Sequence, residues 1–196
     1  MNYLAHIYLS GDDEALKIGN FIADSVKGKD FLNYPGRIQQ GIILHRAIDT
    51  YTDVHPVFGK SRKRLFPKYR HYSGVIVDMF YDHFLAANWN KYSKEPLEEY
   101  TNNFYALLEK NWEFLPQQVQ DFFPYMLRDD WFLRYGTLEG VEKILAQMSR
   151  RTTFTSKLHH SVRELELDYE DFKNEFLEFF PDLIEFTEEE LRKLIK

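Results

Sequence analysis

A chain of 196 residues is long enough to bury one hydrophobic core and too short to require a second domain. It contains no cysteine, which excludes disulfides, thiolate metal sites and cysteine nucleophiles, so any metal must be held by His, Asp, Glu or Asn. A net charge of −6 argues against general nucleic-acid binding, and 17% aromatic residues with only nine glycines favour a packed globule over disorder.

The N-terminal MNYLAHIYLS lacks a basic n-region and carries His6 inside its apolar run, which makes it a poor signal peptide. No apolar stretch approaches the roughly 20 residues of a membrane span. The expectation is a soluble, cytoplasmic protein without a membrane or nucleic-acid partner.

Strand signals are scarce, with no Asn-Gly or Asp-Gly hairpin turn. Residues 2–9 read as a short apolar helix, stopped near Ser10-Gly11. A second helix spans roughly 13–27 and ends at Gly28, a natural C-terminal cap. Pro35 suits the first turn of a third, which runs to about Asp53 and must stop before Pro56. A basic helix over 57–66 closes at Pro67, and a long one follows from Tyr72 to Trp89. Pro96 and Pro116 suit the first positions of helices near 96–112 and 116–128. Helices near 137–150 and 168–180 come next, the latter stopped by Pro181. Thr187 with Glu190 forms a capping box for a last, charged helix. The pattern predicts one all-α domain over 1–196, a bundle of about nine or ten helices.

Five of the seven histidines, His6, His45, His55, His71 and His83, lie in the first 83 residues. The chemistry belongs there; the C-terminal half, rich in Phe, Leu and Glu, reads as scaffold. Three predicted helices each carry a polar pair four apart within an apolar run: Asn20/Asp24, His45/Asp49 and Asp78/Asp82. Positions i and i+4 share one helix face. Carboxylates among Ile, Val, Met and Phe are costly to desolvate unless something positive lies between them. Convergence of His and Asp from facing helices is how bundles hold a metal, with His6 as a further donor. Such a set suits Mn²⁺, Fe²⁺, Mg²⁺ or Zn²⁺, and the carboxylate share favours the harder ions. Each residue has a plainer alternative: His45 as a core histidine, Asp49 paired with Arg46, Asp24 paired with Lys27.

Between Gly59 and His71 stand Lys60, Arg62, Lys63, Arg64, Lys68 and Arg70, with no acidic residue among them. This basic island on an acidic chain either attracts an anionic partner or forms a solvated helix face. A Walker loop, a G-x-S-x-G elbow and an H-E-x-x-H motif are all missing.

The ordered segments MNYLAHIYLS, GNFIADSVKG, GIILHRAIDTYTDVHP and VDMFYDHFLAANW, with the later DDWFLRYG, resemble the acyl carrier protein phosphodiesterases across the full chain. The resemblance implies an HD-domain-like helical bundle. It also implies hydrolysis, with a divalent ion (typically Mn²⁺), of the phosphodiester that joins 4′-phosphopantetheine to a serine of holo-acyl carrier protein. Matched motif by motif, Asp24, His45, Asp49, Asp78, Asp82 and His83 become the expected site. The chain has the reversed pair Asp82-His83 where the wider HD class has a His-Asp doublet.

The expectation is a metal held by His45, Asp49, Asp82 and His6, with Asp24, Asp78 and His83 as catalytic groups that orient or deprotonate the attacking water. Arg46 is placed on a phosphoryl oxygen. The acidic carrier is expected to dock on Lys60, Arg62, Lys63, Arg64 and Arg70. A nucleotide or alarmone phosphohydrolase and a non-enzymatic helical binding module are the alternatives.

Overall fold

The structure is a computed structural model, and it describes residues 1–151 and 158–194. Eleven α-helices and no strand occur among the described residues. They are α1 (Tyr3–Leu9), α2 (Glu14–Ile22), α3 (Gly36–Val54), α4 (Pro56–Tyr69), α5 (Ser73–Ala87) and α6 (Leu97–Lys110), followed by α7 (Gln117–Arg128), α8 (Trp131–Arg134), α9 (Leu138–Arg151), α10 (Val162–Leu167) and α11 (Tyr169–Leu194). The all-α bundle expected from sequence is what forms. Among the described residues, no helix is long and apolar enough to cross a membrane.

The prolines behave differently from the sequence reading. Pro35, Pro96 and Pro116 are N-cap residues, with ψ of 143°, 142° and 150°, so each stands just outside its helix. Proline fixes φ but not ψ, and both placements satisfy it. Pro56 is the one that occupies the first turn. Pro67 and Pro181 do not end helices: α4 continues to Tyr69, and α11 runs unbroken from Tyr169 to Leu194. An interior proline costs about 3 kcal/mol. In α11 the buried stripe Phe172, Phe176, Phe179, Phe180 and Leu183 crosses the proline, and each such side chain contributes roughly 1.5–3 kcal/mol. Packing therefore wins. Thr187 lies within α11, where its buried hydroxyl donates to the Leu183 carbonyl at 2.7 Å instead of capping a new helix.

The feature that positions the site is the crossing of α2 and α3. A Cβ on Gly19 would lie 2.1 Å from the Ile38 carbonyl oxygen, and one on Gly41 would lie 2.4 Å from that of Leu16. The two helices touch backbone to backbone, which only glycine allows.

α1 enters over this pair and is anchored from α5. The Asp82 carboxylate accepts the backbone N–H groups of Asn2 (3.1 Å) and Leu4 (2.8 Å), with Ala5 at 3.4 Å. A helix start has orphan N–H donors, and here a side chain from another helix satisfies them. Asn2 supplies the local cap, accepting from the N–H of Tyr3.

Candidate metal centre

α2 ends at Ile22 and is followed by a short 3₁₀ turn, Ala23–Ser25, which carries Asp24. Because α2 is so close to α3, the Asn20 carbonyl in its last turn reaches His45. His45 Nδ1 donates to that oxygen at 2.8 Å, with Asn20 Oδ1 at 3.1 Å. A carbonyl only accepts, so Nδ1 carries the proton and Nε2 turns toward the carboxylates. Nε2 lies 3.1 Å from Asp24 Oδ1 and 3.0 Å from Asp49 Oδ2. The sequence put Asn20 on the same face as Asp24, but the use of its backbone was not legible there.

His6, on α1, completes the group. Its Nε2 lies 3.2 Å from Asp49 Oδ1 and 3.2 Å from the Met1 carbonyl. The imidazoles of His6 and His45 stack with centroids 4.0 Å apart. Both are buried, while the side chains of Asp24 and Asp49 are 65% and 42% exposed. The centre therefore has a closed imidazole floor and an open carboxylate rim.

The electrostatics follow from this arrangement. Burial alone would lower His45, but hydrogen bonds to Asp24 and Asp49 outweigh it and raise it to about 9. Burial and the neighbouring His45 charge push His6 down to about 4. The bond to His45 lowers Asp24. Asp49 is also lowered, its bonds to both imidazoles overcoming the effect of burial. Two carboxylates converging on one imidazole edge require a positive charge between them, supplied by a proton or by a metal.

His6, His45 and Asp49 offer ligand atoms all within 4.8 Å of one another, with Asp24 beside them. Two imidazole nitrogens and the Asp49 carboxylate form a donor set suited to a divalent ion of intermediate hardness. The Asn20 carbonyl fixes the His45 tautomer that such an ion needs, the usual outer-shell device. The residues present fit a metal.

The other expected residues have different partners. Asp82 gives both of its oxygens to the start of α1, and burial lifts it to about 7 despite those bonds. Asp78 pairs with the Met1 ammonium at 2.8 Å and is also raised by burial. His83 lies elsewhere: Nδ1 donates to the Tyr135 carbonyl at 2.7 Å, and Nε2 is 3.0 Å from the Tyr169 hydroxyl. Arg46 donates to the carbonyls of Val26 and Gly28, at 3.1 and 3.0 Å, and covers the Phe31 ring. It braces the loop after Asp24.

The basic island divides in two. Arg64 makes a two-pronged pair with the buried Glu175 (2.8 and 2.9 Å), and Lys60 joins it at 3.2 Å. Lys68 pairs with Glu164. Arg62, Lys63 and Arg70 instead line an open cleft of about 390 Å³ with Phe66, His71 and Ser73, where α4 gives way to α5.

Comparison with known proteins bears on this geometry. The family model described as acyl carrier protein phosphodiesterase matches residues 1–183. The chain is 31% identical over 192 residues to the acyl carrier protein phosphodiesterase of Photorhabdus laumondii, covering 96% of each chain. It is 29% identical over 188 residues to that of Pectobacterium atrosepticum, covering 95% of this chain and 97% of the relative. With that of Escherichia coli the figures are 31% over 189 residues, 94% and 96%. No solved structure matches the chain.

Proposed function

The chain belongs to the acyl carrier protein phosphodiesterase family, and from that premise we propose that it is a cytoplasmic, metal-dependent hydrolase that removes 4′-phosphopantetheine from holo-acyl carrier protein. The observation that carries this reading is the convergence of His6, His45 and Asp49 on one point, with Asp24 at the rim. His6, His45 and Asp49 would hold the ion, with Mn²⁺ preferred over Mg²⁺, Fe²⁺ or Zn²⁺ because carboxylates share the site with imidazole. When bound, a divalent ion lowers the pKa of a water toward roughly 7 and neutralises phosphoryl oxygens.

The protein's own groups do the rest. Asn20 holds the His45 ring in register through the Nδ1 hydrogen bond. Asp24, ionised and largely exposed, accepts the proton of the attacking water on the open side of the centre. Asp82 and Asp78 act as positioning residues, fixing the start of α1 and hence His6. His83 and Arg46 have positioning roles in the scaffold and in the loop after Asp24.

Docking of the acidic carrier falls to the cleft formed by Arg62, Lys63 and Arg70. Lys60 and Arg64 support it from behind through Glu175. Asp78 is five residues along α5 from Ser73 at the cleft, about 7.5 Å of helix. The cleft and the residues that fix the start of α1 therefore share helix α5.

The test is mass spectrometry of holo-acyl carrier protein incubated with the protein and Mn²⁺, with EDTA as control. Metal-dependent loss of the phosphopantetheine mass is the expected result. A carrier of unchanged mass in the presence of bound metal would overturn the substrate assignment, and the absence of stoichiometric metal would overturn the centre.

A further inference from the structure

Arg70 joins α4 to α5 with φ 50° and ψ −121°, a backbone conformation that a long side chain disfavours and glycine adopts freely. Among the described residues Asp130 is the one other non-glycine with positive φ, and aspartate tolerates that region far better. Two hydrogen bonds hold residue 70 in place. Its N–H donates to the Phe66 carbonyl, and its carbonyl accepts from the Ser73 hydroxyl at 2.7 Å. Both run to backbone atoms of residue 70, so a glycine would keep them. The turn therefore has no use for the arginine side chain, whose guanidinium lies 5.6 Å from the centre of the Phe66 ring. Strain of this kind clusters at ligand clamps and active sites, and here it delivers a cation to the cleft between α4 and α5.

Arg62 and Lys63 meet it there from α4. Phe66 lies four residues after Arg62 and three after Lys63, on the same helix face, and its ring is 46% exposed. Among the described residues, none of the three cations pairs with a carboxylate, and no acidic side chain lines the cleft. Like charges gathered without a counter-charge repel one another, so a multivalent anion between them is stabilising. The space, about 390 Å³, lies in the range of small-molecule sites, roughly 300–1,000 Å³.

We infer that this cleft binds a polyphosphate anion, free or carried by a nucleoside, and that the bound anion competes with the carrier for the docking face. Guanidinium groups match phosphate oxygens through paired hydrogen bonds, and Lys63 adds a third point charge. The exposed Phe66 ring is a platform on which a base can stack. The competition rests on the reading of Arg62, Lys63 and Arg70 as the carrier's docking face; the binding does not.

Calorimetric titration of the full chain with pyrophosphate and with ADP, no divalent metal added, reads the binding. Saturable binding that weakens as salt is raised is expected. Arg70→Gly is the discriminating variant, because it relaxes the backbone while removing the guanidinium. Its affinity should fall about tenfold or more, with a Tm equal to wild type or above it. Arg62→Gln should weaken binding similarly without changing Tm. His45→Ala should bind like wild type, which keeps the metal centre out of the signal. Tighter binding of ADP, abolished in Phe66→Ala, identifies the nucleotide as the source; equal affinity for the two ligands identifies the free anion. Absence of binding by wild type overturns the inference, as does wild-type affinity in both arginine variants or loss of binding in His45→Ala alone. A lower Tm in Arg70→Gly would make its side chain structural and overturn it too. Holo-carrier kinetics at fixed free Mn²⁺ test the competition: either ligand should raise KM and leave kcat unchanged. Polyphosphate binding with no hydrolysis of the carrier keeps the cleft and sinks the proposed reaction. Hydrolysis whose KM is indifferent to saturating ligand overturns the competition.

Discussion

The Cα of Gly19 would lie 2.9 Å from a Cβ built on Gly41, so α2, which leads into the turn bearing Asp24, and α3, which bears His45, meet where neither tolerates a side chain. That contact sets how far His45 stands from the Asn20 carbonyl and from Asp24. Gly41→Ala forces a methyl against the Leu16 carbonyl oxygen, and overpacking of this kind costs about 1–3 kcal/mol. The expected outcome is a lower Tm with weaker Mn²⁺ binding. Gly36→Ala is the control, because nothing lies within 4 Å of its Cβ position. A Gly41→Ala protein that melts and binds metal like wild type would remove the helix crossing from the account.

Asp82 is the residue on which sequence and geometry part most sharply. Both oxygens accept backbone N–H groups at the start of α1, which delivers His6 to the centre. Asp82→Ala leaves those donors buried and unmatched, at about 1–3 kcal/mol for an unsatisfied group. Asp82→Asn keeps a carbonyl oxygen to accept them. The expected series is a marked fall in Tm for Ala, a partial rescue for Asn, and in both a smaller loss of Mn²⁺ affinity than in His45→Ala. Calorimetry and thermal melts measure both quantities. A variant that keeps its Tm but loses all metal would return Asp82 to the ligand set.

The physical reason for that divergence also explains what the sequence could show. An i, i+4 spacing says that two side chains share a helix face, but not what that face meets. For His45 and Asp49 the face meets α1 and the turn after α2, and His6 and Asp24 arrive there. For Asp78 and Asp82 the same spacing meets the start of the chain, whose N–H groups consume the carboxylates. Helix existence was legible from apolar periodicity and capping residues. Continuation through Pro67 and Pro181 was not, because it depends on tertiary burial of residues beyond each proline, Tyr69 in α4 and Leu183 and Thr187 in α11. Asn20 acts through its backbone oxygen, and backbone atoms have no signature in residue identity. The glycines at 19 and 41 were the one available clue, since each stands close in sequence to a residue the crossing brings together.

Glu175 makes stability depend on pH in acid. Burial raises its carboxyl, but Arg64, Ser61 and Lys60 outweigh this and hold it below its ordinary value of 4.5. A depressed carboxylate stabilises the folded chain fully above its unfolded value, and that contribution is lost as pH falls through the folded one. Wild type should therefore lose stability below pH 4.5, while Glu175→Gln starts about 1–3 kcal/mol lower at neutral pH. The gap between them should narrow on acidification. Denaturant titrations across that range decide it: a gap that stays constant would show that the carboxylate's charge contributes nothing.

The two halves of the basic island should respond differently to charge reversal. Arg62 and Lys63 are exposed at the open cleft and have no carboxylate partner among the described residues. Reversing them to Glu removes attraction for an acidic carrier, so KM should rise with kcat and Tm nearly unchanged. Because exposed charges are screened over about 10 Å at 0.1 M salt, wild-type kcat/KM should fall steeply with ionic strength, and the reversed protein should show a flatter dependence. Arg64→Glu places an anion against buried Glu175 in a pair closed at 2.8 Å. Removing one partner of such a pair typically costs about 3–5 kcal/mol, and Arg64 is partly exposed, which moderates the loss. Its signature should be a collapse in Tm before any effect on docking can be read. Steady-state kinetics with holo-carrier at two salt concentrations, set beside melting curves, separates the two classes. A rise in KM confined to Arg64→Glu, with Arg62→Glu and Lys63→Glu behaving like wild type, would move the docking face off this cleft.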